Sequence, residues 1–529
     1  MTGSTFRSVW APRVLCLAAG AAAALAQPPW GFLPGLLGYG LLFRLCDAAS
    51  PKPLKSAFFR AWLTGAAYFM ISLWWLAEPF QVDAEEQGWM APFAVLLMAG
   101  GMALFWGAAG VAYRALAGRG IARTLLFAGT LSGFEFLRGH ILTGFPWDLP
   151  GESWAAGSPP SQLAAVVGVY GLTLVTVLVA ALPFAMRIRT ARGLAPGLAA
   201  GLIVAGLYGF GAWRLDRSQG GMPGTLWLRV VQADVGQESK YDARAFESIV
   251  ARYVALTARP AAHRIDMVIW PEGAIPAAME DYLAPGAWTE RAIANALGPN
   301  QTLILGAYHY GQDVSGRPRT FNALAVLRHA PGGLQVVGLY DKFRLVPFGE
   351  FMPLDGLASH LGIKAMVHVG DGFSPGPRPR PLRVAGLPTM QPLICYEALF
   401  PGFTREGAAA SGQRAAWIVN VSNDAWFGTG MGPMQHLNMA RYRAIEEGLP
   451  IVRATPTGIS AVIDAFGRIA PGQSLGEGAL GVIDARLPPA LAPTLFDRLG
   501  DMAFFAMLGL SLLGARFWSK PDRARPSGR

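Results

Sequence analysis

Between Trp10 and Trp213 the chain alternates long apolar runs with short polar or basic loops. Each run is roughly 17 to 25 residues, the length a helix needs to cross a ~30 Å hydrocarbon layer. Seven such runs are read: 11–26, 31–46, 57–77, 90–113, 121–137, 161–186 and 194–213. An eighth, 502–518, follows a long region of different texture. From Leu226 the period shortens to brief β-rich runs bounded by Gly and Pro: 226–232, 267–270, 303–308, 323–327, 336–340, 393–396, 417–421, 451–454 and 460–464. Helical spacing returns at 243–257 and 434–447. The predicted architecture is an α-helical polytopic membrane domain of about eight transmembrane helices plus a layered α/β domain. Boundaries are expected at 1–213 for the first seven helices, 214–494 for the α/β domain and 495–529 for the last helix and tail.

Lys and Arg resist translocation, so their positions in short loops set the orientation. Arg44, Lys52, Lys55 and Arg60 follow the second run, Arg114, Arg119 and Arg123 the fourth, and Arg187, Arg189 and Arg192 the sixth. Lys520, Arg523, Arg525 and Arg529 close the chain. The loop after the third run carries Glu78, Asp83, Glu85 and Glu86 instead, which places it, and the α/β domain, outside the cytoplasm. A competing reading takes the segment up to Ala26 as a cleaved signal peptide, with Arg7 and Arg13 before an Ala-rich run; the orientation is the same either way. Glu135 and Arg138, spaced i,i+3 on the fifth helix, read as a structural ion pair in low dielectric. The segment Thr143–Trp147 after them suits a membrane interface.

Composition sharpens this reading. The 529 residues are 52% hydrophobic and 15% charged, too apolar for a wholly water-exposed protein. The excess of 44 Lys and Arg over 34 acids lies in loops flanking apolar runs, which fits membrane topology and excludes a nucleic-acid partner. Cys16 and Cys46 fall within apolar runs, leaving Cys395 without a disulfide partner in its own region. The seven His show no HExxH or close ligand pair, so neither metal nor cofactor is expected.

Three β-runs end in a polar residue beside a turn, where α/β folds commonly place reacting groups. Trp270-Pro271-Glu272-Gly273 presents a carboxylate, Asp341-Lys342-Phe343-Arg344 an amine and Ile394-Cys395-Tyr396-Glu397 a thiol. A base, a fixed positive charge and a nucleophile are what acyl transfer through a thioester requires. Singly, each has a bland reading: a solvated turn, a surface lysine, an inert buried cysteine.

Together, and in this order, these segments resemble the nitrilase or carbon-nitrogen hydrolase superfamily with its Glu-Lys-Cys triad, which implies an αββα sandwich. The flanks Leu345–Pro353, Asn420–Gly428, Gln435-His436 and Met439–Arg441, with seven helices before and one after, resemble the apolipoprotein N-acyltransferase family. The chain departs from the family's usual residues at Phe343 and Arg344, at Gly273 and at Lys240-Tyr241. The resemblance implies that Cys395 takes a fatty acyl group from a membrane phospholipid and passes it to the α-amine of a diacylated apolipoprotein, in a bacterial inner membrane with the catalytic domain facing the periplasm. Glu272 is then the base, and Lys342 stabilises the oxyanion and lowers the thiol pKa from about 8.5. Glu350, Tyr396 and Glu397 support them, Glu350 by holding Lys342 and Tyr396 through its backbone N–H. Substrate contacts are expected from Trp426, Phe427 and Tyr241, and from Leu357 and Leu361 in an apolar arm with Phe351, Met352, Leu354 and Ile363. The bland reading of that arm is ordinary core, and His436 reads as structural. The rivals are a membrane-anchored amidase or nitrilase that passes the thioester to water, and a transporter or receptor, against which the sparse intramembrane charge speaks.

Overall fold

The computed structural model describes residues 3–116, 122–186, 190–217, 226–313, 315–330, 332–353 and 372–517. The chain divides into two compact units, Met1–Arg217 with Leu499–Arg529, and Ser218–Arg498.

In the first unit, helices occupy the predicted apolar runs: α1 Gly3–Leu25, α2 Leu37–Asp47, α3 Pro53–Ser72, α4 Ala91–Leu116, α5 Ala122–His140, α6 Ala164–Ala181, α7 Ala195–Asp216 and a last helix, Met502–Phe517. Among the described residues, three helical stretches are long and apolar enough to cross a membrane, Ala84–Leu116, Pro160–Ala185 and Ala195–Asp216. Trp10–Leu25 and Met502–Gly514 are shorter apolar helices. The second run differs from expectation, because a 3-10 turn at Leu33–Leu36 precedes an α2 of only 11 residues. Arg119, Arg187, Arg189 and the basic residues of the tail lie outside the described residues.

Small residues let these helices approach closely, since apolar helices in lipid associate through packing rather than hydrophobic burial. A Cβ on Gly110 of α4 would sit 2.8 Å from the Ala57 carbonyl oxygen of α3. Glu135 and Arg138 form the expected ion pair, buried, with Trp106 Nε1 donating to Glu135 at 2.6 Å. Arg138 also donates to the Phe145 carbonyl at 2.6 Å and so ties down the loop after α5. In that loop Trp147 is buried, 4.4 Å from the Trp75 ring, rather than set out as an interfacial anchor.

The second unit contains two sheets. One has the order β11-β1-β2-β3-β4-β5 and the other β10-β9-β8-β7-β6. The strands are β1 Trp227–Gln232, β2 Met267–Trp270, β3 Thr302–Gln312, β4 Pro318–Ala330, β5 Gly333–Asp341, β6 Met390–Ile394, β7 Trp417–Val421, β8 Ile451–Ala454, β9 Ser460–Ile463, β10 Ile469–Leu475 and β11 Gly481–Arg486. β1, β2 and β3 run parallel, as do β6, β7 and β8. Strands covered on both faces read as continuous apolar runs, and alternate residues sort to the two faces. Met267 and Ile269 of β2 join Ile304, Val326, Ile394, Val419 and Val452 in a core between the sheets. Val268 and Trp270 face the other way, against Ile249, Tyr253 and Leu256 of α8 (Phe246–Thr257) and Ile293 of α9 (Trp288–Ala296). α10 (Phe403–Ser411) and α11 (Met431–Glu447) follow β6 and β7 in the chain. The two sheets form an α/β sandwich whose reacting candidates all stand just beyond strand ends.

Candidate active site

Cys395 directly follows β6. The expected strand 393–396 stops at Ile394, and Cys395 opens a 3-10 turn, Cys395–Leu399, with φ of +47°. A non-glycine residue in the left-handed region costs on the order of 1–3 kcal/mol and persists only where its surroundings over-determine it. Glu397, buried, supplies much of that restraint. Its Oε2 accepts from Ile394 N at 2.8 Å, while Oε1 accepts from Phe343 N (2.8 Å), Arg344 N (3.2 Å) and Tyr340 OH (2.9 Å). One side chain thus fastens the end of β6 to the segment leaving β5. Burial pushes the Glu397 carboxyl up to about 7 against the pull of those N–H donors and Lys342.

Glu272 stands two residues beyond β2, where the chain turns through Gly273 at φ +59°. β3 passes so close that a Cβ on Gly306 would lie 2.4 Å from the Glu272 Cα, so glycine is required there. Lys342 follows β5 and is 1% exposed. Its Nζ donates to Glu272 Oε1 at 3.3 Å and to Glu350 Oε1 at 2.8 Å. Asn322 of β4 donates to the same two oxygens, 2.7 Å to each. Glu350 Oε2 accepts from Val346 N at 2.8 Å, which closes the loop around the ammonium. Burial alone would pull Lys342 down, but Glu272 and Glu350 outweigh it and hold the amine well above the usual lysine range. It is a permanent cation.

The thiol does not follow the expected direction. Burial, reinforced by Glu272, pushes Cys395 up to about 12, and Lys342 only partly opposes this. A low-dielectric site disfavours any uncompensated anion, and Lys342 already serves two carboxylates. The resting thiol is therefore neutral.

Other expected contacts separate. Tyr241 is 68% exposed, whereas its neighbour Lys240 turns inward and donates to Asn423 Oδ1 at 3.2 Å. Burial lowers the Lys240 amine to about 8, with Glu272 acting in the opposite sense. Phe427 packs against the inter-sheet core and lies 5.3 Å from the His436 ring; Trp426 is half-buried. Met352 is buried, while Leu354, Leu357, Leu361 and Ile363 lie outside the described residues. Asn322 and Arg453 went unread in the sequence; Arg453 is a charged residue inside an otherwise apolar strand, which is the signal that marks it, and Asn322 directly precedes the apolar run 323–327 of its strand.

An αββα sandwich with carboxylate, ammonium and thiol at strand ends belongs to the carbon-nitrogen hydrolase class, and residues 228–494 match the carbon-nitrogen hydrolase family. Residues 19–182 match the apolipoprotein N-acyltransferase N-terminal domain. An apolipoprotein N-acyltransferase of Caulobacter vibrioides is 52% identical over 504 residues, 95% of this chain and 94% of that one. One of Bradyrhizobium diazoefficiens is 36% identical over 520 residues, 95% and 94% of the two chains. The chain belongs to the apolipoprotein N-acyltransferase family, and it is an enzyme of lipoprotein N-acylation.

Proposed function

We propose that the acyl group travels through a thioester on Cys395. The thiol sulfur attacks the ester carbonyl carbon of a membrane phospholipid while Glu272 takes the thiol proton. Lys342 and the Tyr396 N–H receive the developing oxyanion. When the tetrahedral intermediate collapses, the ester C–O bond breaks and Glu272 returns the proton to the departing lysophospholipid oxygen. The α-amine of the diacylglyceryl-cysteine on an apolipoprotein then attacks the thioester, Glu272 accepts its proton, and the Cys395 sulfur leaves to be reprotonated. A neutral resting thiol suits this scheme, because deprotonation coincides with attack and needs a base within reach. The observation that carries the reading is the Lys342 ammonium held between Glu272 and Glu350 beside a conformationally strained cysteine.

Both substrates carry acyl chains whose extraction costs about 0.8 kcal/mol per CH2, so the chemistry belongs at a bilayer surface. In this reading eight helices span a bacterial inner membrane, the α/β domain lies on its periplasmic face, and an apolar arm around Leu357 and Leu361 admits lipid. Trp426 and Phe427 line the acyl path. Purified protein given phospholipid alone should acquire an acyl adduct on Cys395 and release lysolipid, then lose the adduct to a diacylated lipopeptide. Cys395→Ala should do neither. Lysolipid without N-acylated peptide would favour transfer to water, and an active Cys395→Ala would overturn the thioester.

A further inference from the structure

Behind the thiol lies a buried polar network that the acyl-transfer scheme does not use. Arg453 of β8, Asp424 and Ser422 after β7, and His436 of α11 are all buried. Arg453 Nη2 donates to both Asp424 oxygens, at 2.8 and 2.6 Å, and Ser422 Oγ donates to Asp424 Oδ1 at 2.7 Å. Arg453 also bonds the Asn420 side-chain oxygen, and Asn420 donates to the Leu393 carbonyl of β6 at 3.0 Å. His436 is set between this network and the strained turn. Its Nδ1 is 3.1 Å from Arg453 Nη2 and 3.1 Å from Asp424 Oδ1, and its Nε2 is 3.3 Å from the Cys395 carbonyl oxygen.

A carbonyl oxygen only accepts, so Nε2 carries a proton. Burial and Arg453 disfavour the imidazolium more than Asp424 favours it, so the ring is neutral, with its one proton on Nε2 and Nδ1 facing Arg453 Nη2. The peptide joining Cys395 to Tyr396 is planar and trans, so its C=O and N–H point in opposite directions. Holding the oxygen toward His436 aims the Tyr396 N–H the other way.

Resting on the thioester reading above, we infer that His436 is a positioning residue: its Nε2–H fixes the plane of the Cys395–Tyr396 peptide and thereby aims the N–H that receives the oxyanion. Without that bond the plane of the peptide and the left-handed Cys395 each lose one of their restraints, the 3-10 turn and Glu397 remaining. The defect belongs to steps that build an oxyanion and to no others. Alkylation of the thiol by iodoacetamide displaces iodide at a saturated carbon and builds none.

The experiment compares thioester formation on Cys395 from phospholipid vesicles with iodoacetamide alkylation of the same cysteine, in full-length protein. His436→Leu should slow acylation about 100-fold with the KM for lipid unchanged, and leave alkylation within about 3-fold. His436→Gln, whose amide N–H reaches the Nε2 position, should recover acylation to within about 10-fold of wild type. His436→Asn, one bond shorter, should behave as Leu does and carries the test if the Leu variant does not accumulate. Equal loss of acylation and alkylation, or no rescue by Gln, assigns His436 a general structural role and overturns the inference; so does unimpaired acylation in the Leu and Asn variants. Absence of any adduct on wild-type Cys395 overturns the thioester reading itself, which separates the two failures.

Discussion

Replacing Glu272 by Gln should abolish acyl transfer and yet make the thiol more reactive toward a simple alkylating agent. Glu272 is second only to burial among the influences that raise the Cys395 pKa to about 12. The amide keeps the shape, but it removes the negative charge that opposes the thiolate, while Lys342 stays in place against Glu350 at 2.8 Å. A like charge at neighbouring side-chain range changes an ionisation equilibrium by about 10- to 1,000-fold. Taking about 100-fold more thiolate at pH 8, and a Brønsted coefficient of about 0.5 that returns roughly 10-fold in intrinsic nucleophilicity, the net gain is about 10-fold. Loss of the base costs acyl transfer on the order of 100- to 10,000-fold over the same comparison. The assay is the second-order rate of iodoacetamide incorporation at Cys395, read by peptide mass in wild type and variant at pH 8, beside lipopeptide N-acylation by the same preparations. Slower or unchanged alkylation in Glu272→Gln would refute the electrostatic role given to Glu272, whatever happens to turnover.

Lys342→Met leaves Glu272 and Glu350 sharing only Asn322, and it should cost about 3–5 kcal/mol of stability as well as all measurable transfer; a stable variant by thermal unfolding would contradict the ion cluster. Glu397 titrates near 7 when folded against an ordinary 4.5, so its contribution to stability is full below 4.5 and is lost as pH rises through 7. Relative to Glu397→Gln, wild type should lose about 3 kcal/mol across that window, and a pH-independent gap in thermal midpoint would refute the assignment. Replacing Leu357 and Leu361 by Ser should slow turnover on bilayer lipid and spare a soluble short-chain ester; equal loss on both would dismiss the apolar arm.

Residues that stand just beyond strand ends were readable by position, because a polar side chain after an apolar run is visible one residue at a time. Glu272, Lys342 and Cys395 are of this kind, and Lys342 lies between Glu272 and Glu350 as a chemist would arrange them. Asn322 was passed over because the strand containing it was begun at Ala323, one residue too late to show an asparagine within the β-run. The Asp424–Arg453–His436 network joins residues 12 to 29 positions apart, and no local spacing announces such contacts. β10 and β11 escaped because polar and glycine positions interrupt them and they serve as edge strands of their sheets. The thiol's ionisation was misjudged for a different reason: charge partners are legible in a sequence, but depth of burial is not.

Glu272 and Lys342 hang from one sheet, Cys395 from the other, and Glu397 bonds to both edges at once. On the proposed scheme, a chain that has formed only one sheet would own a base without a nucleophile, or a nucleophile without a base. Newly made protein enters a membrane crowded with esters, any of which an early-activated thiol could strip. On the proposed thioester scheme, dividing the machinery between two halves would make completion of the sandwich the switch-on event.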